Sequence, residues 1–484
     1  MTKSLSEAFD SSSFRKTGYK LIDIISDYLE LVKTGKSSFP VLPYKTPSEM
    51  YSFWEDDFQN SENSVIEDFF KIIIENSIHL HNPKYLGHQV PPVLPLAALT
   101  DFLSSFLNNA TGVYEMGSAG IVLERFLIKL LAKIIGMDKD ADGFLTSGGT
   151  LGNLTALLAV RQIASDNDIW REGINSSNNP TFLISGESHY SVERALHIMG
   201  IGNNGIVKVP VNDNHKLDIK TVERFYNKAL DDNKRVVCLV GNACSTSLGL
   251  YDPLNELADF CKEQHLWFHV DAAHGAPAVF TKKYKALISG IEKADSVVID
   301  FHKMMMQPAL VTAVLFKDSK HSYQAFSQKA AYLWEESEED WYNLGKRTFE
   351  CTKDTMSLKV YATIRTYGTK LFEDNVTQLF ELGQKFADLI EKRNNFELAA
   401  WPESNIVCYR YKVKNEDEEK INDLNKKIRQ LLIEEGEFFI VQTEINDKIF
   451  FRTCLMNTFT TEKVLISLLD RIEALVSIIN PVKQ

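Results

Sequence analysis

The sequence is poor in the features that would mark several large classes of protein. It has six cysteines in 484 residues, at 238, 244, 261, 351, 408 and 454, and no two are at CxxC spacing. A disulfide scaffold or zinc knuckle therefore has no basis, and reduced thiols fit better. Basic residues are in deficit: 53 Lys and Arg stand against 65 Asp and Glu, a formal net charge of −12. An acidic surface repels phosphate backbones, so no nucleic-acid partner is expected. No apolar run reaches the ~18 residues that a membrane helix needs, and the candidate from Leu94 to Leu107 is broken by Asp101. The first residues, MTKSLSEAFDSSSFRK, carry Glu7 and Asp10 where a secretory signal needs an apolar core. Repeats and low-complexity tracts are also missing. What remains is ordinary globular composition, 44% hydrophobic and 24% charged, which excludes disorder and coiled coil as the main architecture. The expectation is a soluble, cytoplasmic, multi-domain protein with no membrane association.

Three segments differ in pattern. Residues 1–95 read as a helical arm. A stripe of Leu21, Ile24, Ile25, Tyr28, Leu29 and Val32 predicts a helix over Phe14 to Val32, and a second spans Val65 to His79. Pro40, Pro43 and Pro47 read as breaks, and Pro83, Pro91, Pro92 and Pro95 as a turn-rich approach to the next segment. Residues 96–385 alternate short β-rich runs with helical ones. The runs are Gly143–Thr146, Thr181–Ser185, Gly205–Val211, Val236–Gly241, Leu266–Asp271, Ser296–Ile299 and Val311–Phe316. Helices are expected over Gly152–Ser165, Ser191–Met199, Ile219–Leu230 and Pro253–Gln264. Apolar strands joined by such crossovers predict an α/β layer on a mostly parallel sheet, with ligands beyond the carboxyl ends of its strands. Residues 386–484 predict a small α+β domain: strand Ile406–Tyr411, helix Glu418–Glu435, strands Phe438–Val441 and Lys448–Arg452, and helix Thr461–Ile479.

Three motifs carry candidate chemistry. Thr146-Ser147-Gly148-Gly149-Thr150 follows a strand and opens a helix. Glycines let the backbone approach an anion, and the free N–H groups of a helix start point towards it. An ordinary strand-to-helix turn uses the same residues, and neither a P-loop nor GxGxxG is present. In Phe268-His269-Val270-Asp271-Ala272-Ala273-His274-Gly275, alternation puts His269 and Asp271 on one face. A metal site from His269, Asp271 and His274 finds no further ligand pattern. An acid held against a protonated ring nitrogen fits better, with the small Ala273 leaving room for a flat ring. Asp300-Phe301-His302-Lys303 ends another apolar run, before Met304-Met305-Met306. Desolvation there is expected to lower the lysine's pKa and make it a nucleophile for Schiff-base chemistry. An anion cradle, an aspartate and a nucleophilic lysine in this order are the protein half of a pyridoxal 5'-phosphate (PLP) site.

From about Asn82 to Thr460 the chain resembles the PLP-dependent group II amino-acid decarboxylases. The segments that carry the resemblance are NPKYLGH (82–88), LTSGGTLGNLTAL (145–157), SHYSVERA (188–195), Ser245 through Asp252-Pro253, HVDAAHG (269–275), DFHK (300–303) and FRTCLMN (451–457). FRTCLMN and DFHK are similar to diaminobutyrate and related acidic-amino-acid decarboxylases. The resemblance implies an aspartate-aminotransferase-like fold of type I and decarboxylation of an L-amino acid, with an acidic or diamino acid the suggested substrate. It implies a homodimer in which the N-terminal helices wrap the partner. Lys303 would hold PLP covalently and Asp271 would pair with its ring nitrogen. His189, on its own a surface histidine in a polar loop, would stack on one ring face opposite Ala273. Thr246 would bond near the ring hydroxyl or the aspartate network. Gly148, Gly149 and Thr150 would hold the phosphate, with His302 close by.

Tyr332 precedes Glu335-Glu336-Ser337-Glu338-Glu339-Asp340, five acids in six residues. Such a run is normally a solvated loop. In the resembling enzymes it is a lid whose tyrosine returns a proton to the substrate carbon. An anchor that packs the loop is the plainer reading. Arg452 sits in the apolar run Ile449-Phe450-Phe451, where a buried guanidinium needs a carboxylate, either the substrate's or a structural one. Departures from the family pattern fall at Glu115–Gly120, Gly241–Ser245 and Lys353-Asp354, where relatives often carry arginine. Rival readings are another PLP reaction on the same fold, transamination or oxidative deamination, and a catalytically silent binding protein.

Overall fold

The computed structural model describes residues 2–35, 39–165, 169–174, 179–326 and 341–479. They divide into two compact units. One holds Gln89–Gln384 and Ala400–Val407; the other holds Met1–His88, Lys385–Ala399 and Cys408–Gln484. No described helix is long and apolar enough to cross a membrane.

The larger unit is built on seven strands: β1 (Asp142–Thr146), β2 (Pro180–Ser185), β3 (Ile206–Val209), β4 (Arg235–Asn242), β5 (Trp267–Asp271), β6 (Ser296–Asp300) and β7 (Thr312–Phe316). Each of the seven apolar runs is a strand, with ends shifted by one or two residues. Their order across the sheet is β1-β7-β6-β5-β4-β2-β3. Strands β3, β2, β4, β5 and β6 are mutually parallel. β7 runs antiparallel between β6 and β1. Burial on both faces explains the unbroken apolar runs. The parallel strands are joined by the helices Tyr190–Ile198, Ile219–Asp231 and Leu254–Glu263. This is the α/β architecture that alternating runs predict.

Two buried charge clusters brace β1. Asp142 accepts from Arg125 Nη1 at 2.7 Å and from Arg347 Nη1 at 2.8 Å. Burial opposes the Asp142 charge, yet the two guanidiniums hold its pKa below the usual carboxylate range. At the other end of the strand, Lys353 Nζ lies 2.6 Å from Glu124 Oε1 and 2.5 Å from the Leu145 carbonyl. The same Glu124 oxygen accepts from Leu145 N at 2.8 Å.

Proline reading erred in a consistent direction. Pro47 and Pro95 open the helices Pro47–Gln59 and Pro95–Leu107 instead of breaking the chain. Proline is favoured in a helix's first turn, where its missing N–H would have no partner. Thr46 and Glu49 add a reciprocal capping box to the first of these.

In the smaller unit, helix Ser11–Val32 is capped by Asp10, which accepts from Ser13 N. A four-stranded sheet has the order β10-β11-β9-β8, from β8 (Phe396–Leu398), β9 (Ile406–Tyr411), β10 (Val441–Ile445) and β11 (Lys448–Cys454). The expected strand Phe438–Val441 is displaced to β10. Phe439 instead makes an isolated bridge to Tyr85, with their rings stacked at 5.4 Å. Its apolar run lacks the alternation of a half-buried strand and packs as a plug.

Candidate active site

The three motifs converge at the carboxyl ends of β5 and β6. These strands are parallel neighbours, so Asp271 and Asp300, their last residues, end on the same edge. Helix Gly149–Ile163 starts three residues after β1 and packs across β5, β6 and β7. It begins earlier than periodicity suggests, and Gly148 becomes its cap at φ +101°, a conformation that suits glycine. No side chain caps this helix start, so its first N–H groups are free to face an anion. A Cβ built on Gly149 would stand 3.3 Å from both Asp300 carboxylate oxygens and 3.5 Å from Ala273 Cβ. The missing side chain therefore opens a cradle directly beside β5 and β6. Thr150 lies exposed in the same first turn.

Lys303 Nζ lies 2.9 Å from Asp300 Oδ2, with the lysine side chain 20% exposed and the aspartate 2%. Antiparallel register pairs Asp300 with Thr312, whose hydroxyl donates to Asp300 Oδ1 at 2.5 Å. His302 completes the cluster: its Nε2 is 3.6 Å from Asp300 Oδ2, and its Nδ1 lies 2.9 Å from the Val311 carbonyl oxygen and 3.2 Å from Val311 N. Burial opposes the Asp300 charge, but Lys303 and His302 hold its pKa below the carboxylate range. For Lys303 burial alone would lower the amine, as the sequence suggested. The carboxylates of Asp300 and Asp271 outweigh it and raise the pKa above the usual lysine value. The expected direction is thus reversed, because desolvation acts here together with two anions on one cation.

Asp271 accepts from Ala273 N at 3.1 Å through Oδ1 and from Asn153 Nδ2 at 2.9 Å through Oδ2. Ala273 is buried beside it. His189 caps helix Tyr190–Ile198, and its Nδ1 accepts from Ser191. Burial pulls its pKa down, and the Asp271 charge opposes this without reversing it. Thr246 lies beyond β4, whose last residue pairs with Asp271, in a loop closed by Gly249 N bonding to Ser245 O at 2.9 Å. The rings of His269 and His274 are engaged elsewhere, with Ser296 and Asn153 and with Asn405 respectively, and no cluster of metal-ligating groups occurs among the described residues. Arg452 is a residue of the smaller unit, buried on β11, where its charge contributes to lowering His88. Tyr332 and the acidic run that follows it lie outside the described residues.

Three further residues shape this site. Asp300 carries a local signal, an acid three residues before a lysine. Asn153 is the only amide within the largely apolar run 151–158. Glu350 carries no sequence signal. Its carboxylate accepts from Thr146 Oγ1 at 3.0 Å and from Ser147 N and Oγ at 3.2 and 2.5 Å, fixing the entry to the cradle.

The donor set matches the functional groups of PLP: uncapped helix N–H groups for a phosphate, an amine for an aldehyde, and a buried carboxylate for a ring nitrogen.

Comparison with known proteins agrees with this chemistry. The model of the pyridoxal-dependent decarboxylase conserved domain matches residues 47–412. The aromatic-L-amino-acid decarboxylase of Bacillus atrophaeus is 27% identical over 470 residues, 96% of each chain. The L-2,4-diaminobutyrate decarboxylase of Acinetobacter baumannii is 28% identical over 396 residues, 79% of this chain and 78% of that one. The crystal structure of mouse CSAD superposes with a TM-score of 0.89 at 22% identity, covering 96% of this chain and 99% of that one. At that identity it speaks for the fold alone.

Proposed function

We propose, for a chain that belongs to the pyridoxal-dependent decarboxylase family, a division of labour among its own residues. The chain is a PLP-dependent amino-acid decarboxylase with a type I fold. The observation that carries the assignment of roles is the Lys303–Asp300 pair, set beside Asp271 and the Gly148–Gly149 cradle.

When bound, PLP supplies an electron sink for the bond electrons left on the substrate carbon as CO₂ departs. Lys303 would hold the cofactor covalently. Asp300 pairs with the Lys303 ammonium and sets the pH at which the lysine loses the proton it must shed before it can act as a nucleophile. Asp271 accepts a hydrogen bond from the ring nitrogen and keeps it protonated. The backbone of Gly148, Gly149 and Thr150, with His302 nearby, binds the phosphate. His189 and Ala273 confine the ring from its two faces, and Thr246 bonds at its hydroxyl. Tyr332 delivers a proton to the substrate carbon. The net reaction turns an L-amino acid and one proton into an amine and CO₂.

We place the enzyme in the cytoplasm as a homodimer. None of the six cysteines is in a disulfide, which supports a reducing compartment. Leu99, Phe102, Leu103 and Phe106 are exposed on one face of helix Pro95–Leu107, spaced as a stripe. A contiguous apolar face supports burial against a second copy.

The assignment is tested by incubating the PLP-loaded protein with a pool of L-amino acids that includes aromatic, acidic and diamino members. Mass spectrometry should show one member converted to its amine, with a Tyr332→Phe variant shifted towards aldehyde. Keto acids as the only products would overturn decarboxylation, and unchanged amine output from the variant would remove Tyr332.

The Asp300 role predicts a pH effect. Asp300→Asn removes the largest force that raises Lys303, so its amine should lose its proton at a lower pH. The rate of PLP capture by the PLP-free protein, followed by absorbance, should reach its plateau at a lower pH than in wild type. An unshifted profile would show that Asp300 does not control the lysine.

A further inference from the structure

We propose that Asn153 is a positioning residue that fixes the hydrogen-bonding state of Asp271 and His189 together, as the hub of a one-way chain of donors. The chain starts at Trp267, whose indole N–H can only donate, and does so to Ser296 Oγ at 2.9 Å. The Ser296 hydroxyl keeps a proton that it can donate to His269 Nδ1, 2.8 Å away. A neutral imidazole that accepts at Nδ1 carries its proton on Nε2, and Nε2 faces Asn153 Oδ1 at 3.1 Å. The Asp271 carboxylate, which can only accept, imposes this same polarity on the amide. Its nitrogen then donates to Asp271 Oδ2 at 2.9 Å and to Ser191 Oγ at 3.0 Å. Ser191, already an acceptor, sends its own proton on to His189 Nδ1 at 2.7 Å, which also receives Ser191 N–H at 3.3 Å. His189 is accordingly the Nε2–H tautomer.

Every link is satisfied in one direction only. A flipped Asn153 amide would set oxygen against the Asp271 carboxylate and nitrogen against the His269 N–H. Ser296, His269, Asn153 and Ser191 are buried, so water cannot repair such a mismatch. Burial drives the His269 pKa down to about 4 and lowers that of His189, which keeps both rings neutral as the chain requires. Trp267, Ser296 and His269 thus act at a distance on the two groups that frame the cofactor ring. Asp271 receives a second donor, and His189 is held as the Nε2–H tautomer.

This inference rests on the assignment of Asp271 to the cofactor's ring nitrogen, and its test separates the two. PLP binding to the PLP-free full-length protein is measured beside the carbocyclic analogue in which the ring nitrogen is replaced by C–H. Asn153→Leu keeps the volume and removes every bond of the amide. It should weaken PLP about tenfold, the effect of one hydrogen bond to a charged group, and leave the analogue within about twofold. Equal loss of both ligands would make Asn153 merely structural and overturn the proposal, as would no loss of either. A wild-type protein that binds PLP and its analogue equally well would instead overturn the Asp271 assignment. If Asn153→Leu does not fold, Asn153→Ser is read by the same ratio.

Discussion

Lys303→Ala is expected to abolish covalent capture of PLP and to cut decarboxylation by roughly three orders of magnitude or more, since no other nucleophile replaces it. Reduction of the PLP-treated protein with borohydride should label Lys303 in wild type and nothing in the variant. A labelled variant would overturn the assignment. The same substitution has a second consequence, which geometry makes specific. It leaves Asp300, 2% exposed, without the cation 2.9 Å away. Only His302 at 3.6 Å and the Thr312 hydroxyl remain. An anion left in that position costs about 1–3 kcal/mol, so the PLP-free variant should unfold more easily than the PLP-free wild type. Asp300→Asn in the same background should recover most of the loss without restoring activity. Recovery of stability without catalysis would separate the electrostatic role of the pair from the chemical role of the lysine.

The second large effect is predicted far from the reacting groups. Lys353→Met should destabilise the protein by about 3–5 kcal/mol, the usual result of removing one partner of a buried ion pair. Lys353 and Glu124 have side chains only 1% exposed, 2.6 Å apart. The lysine also satisfies the Leu145 carbonyl, next to the last residue of β1. Glu124→Gln added to Lys353→Met should restore at least half of the loss. The neutral amide leaves no uncompensated buried charge, and its oxygen can still accept from Leu145 N. Urea unfolding of the single and double variants measures both. A single variant within 1 kcal/mol of wild type would show that the pair is not braced as described. The pair also carries a pH signature. Burial lowers the Lys353 pKa below the free-lysine value, although Glu124 pulls it upward. Between the two values the unfolded chain binds more protons than the folded one, so stability should rise with pH across that window. Lys353→Met should remove this rise.

By itself, the sequence determined the sheet and the order of the chemistry along it. Seven apolar runs are seven strands, because burial on both faces of a parallel sheet leaves a signal that does not depend on neighbours. Gly148-Gly149, Asp271 and Lys303 were visible because each follows such a run, and strand ends are where ligands sit. Tertiary structure decided what strand order and register control. β7 runs antiparallel between β6 and β1, which brings Thr312 onto Asp300, a contact that no local pattern announces. The charge state of Lys303 followed from two carboxylates 3 and 32 residues away in the chain, so a rule about burial alone gave the wrong direction. Asn153 is a polar residue in an apolar helix until β5 and β6 place Asp271, His269 and Ser296 around it. Local periodicity reports which face of an element is buried. Which charges and donors meet there is a property of the packed sheet, and the chemistry of this site depends on those meetings.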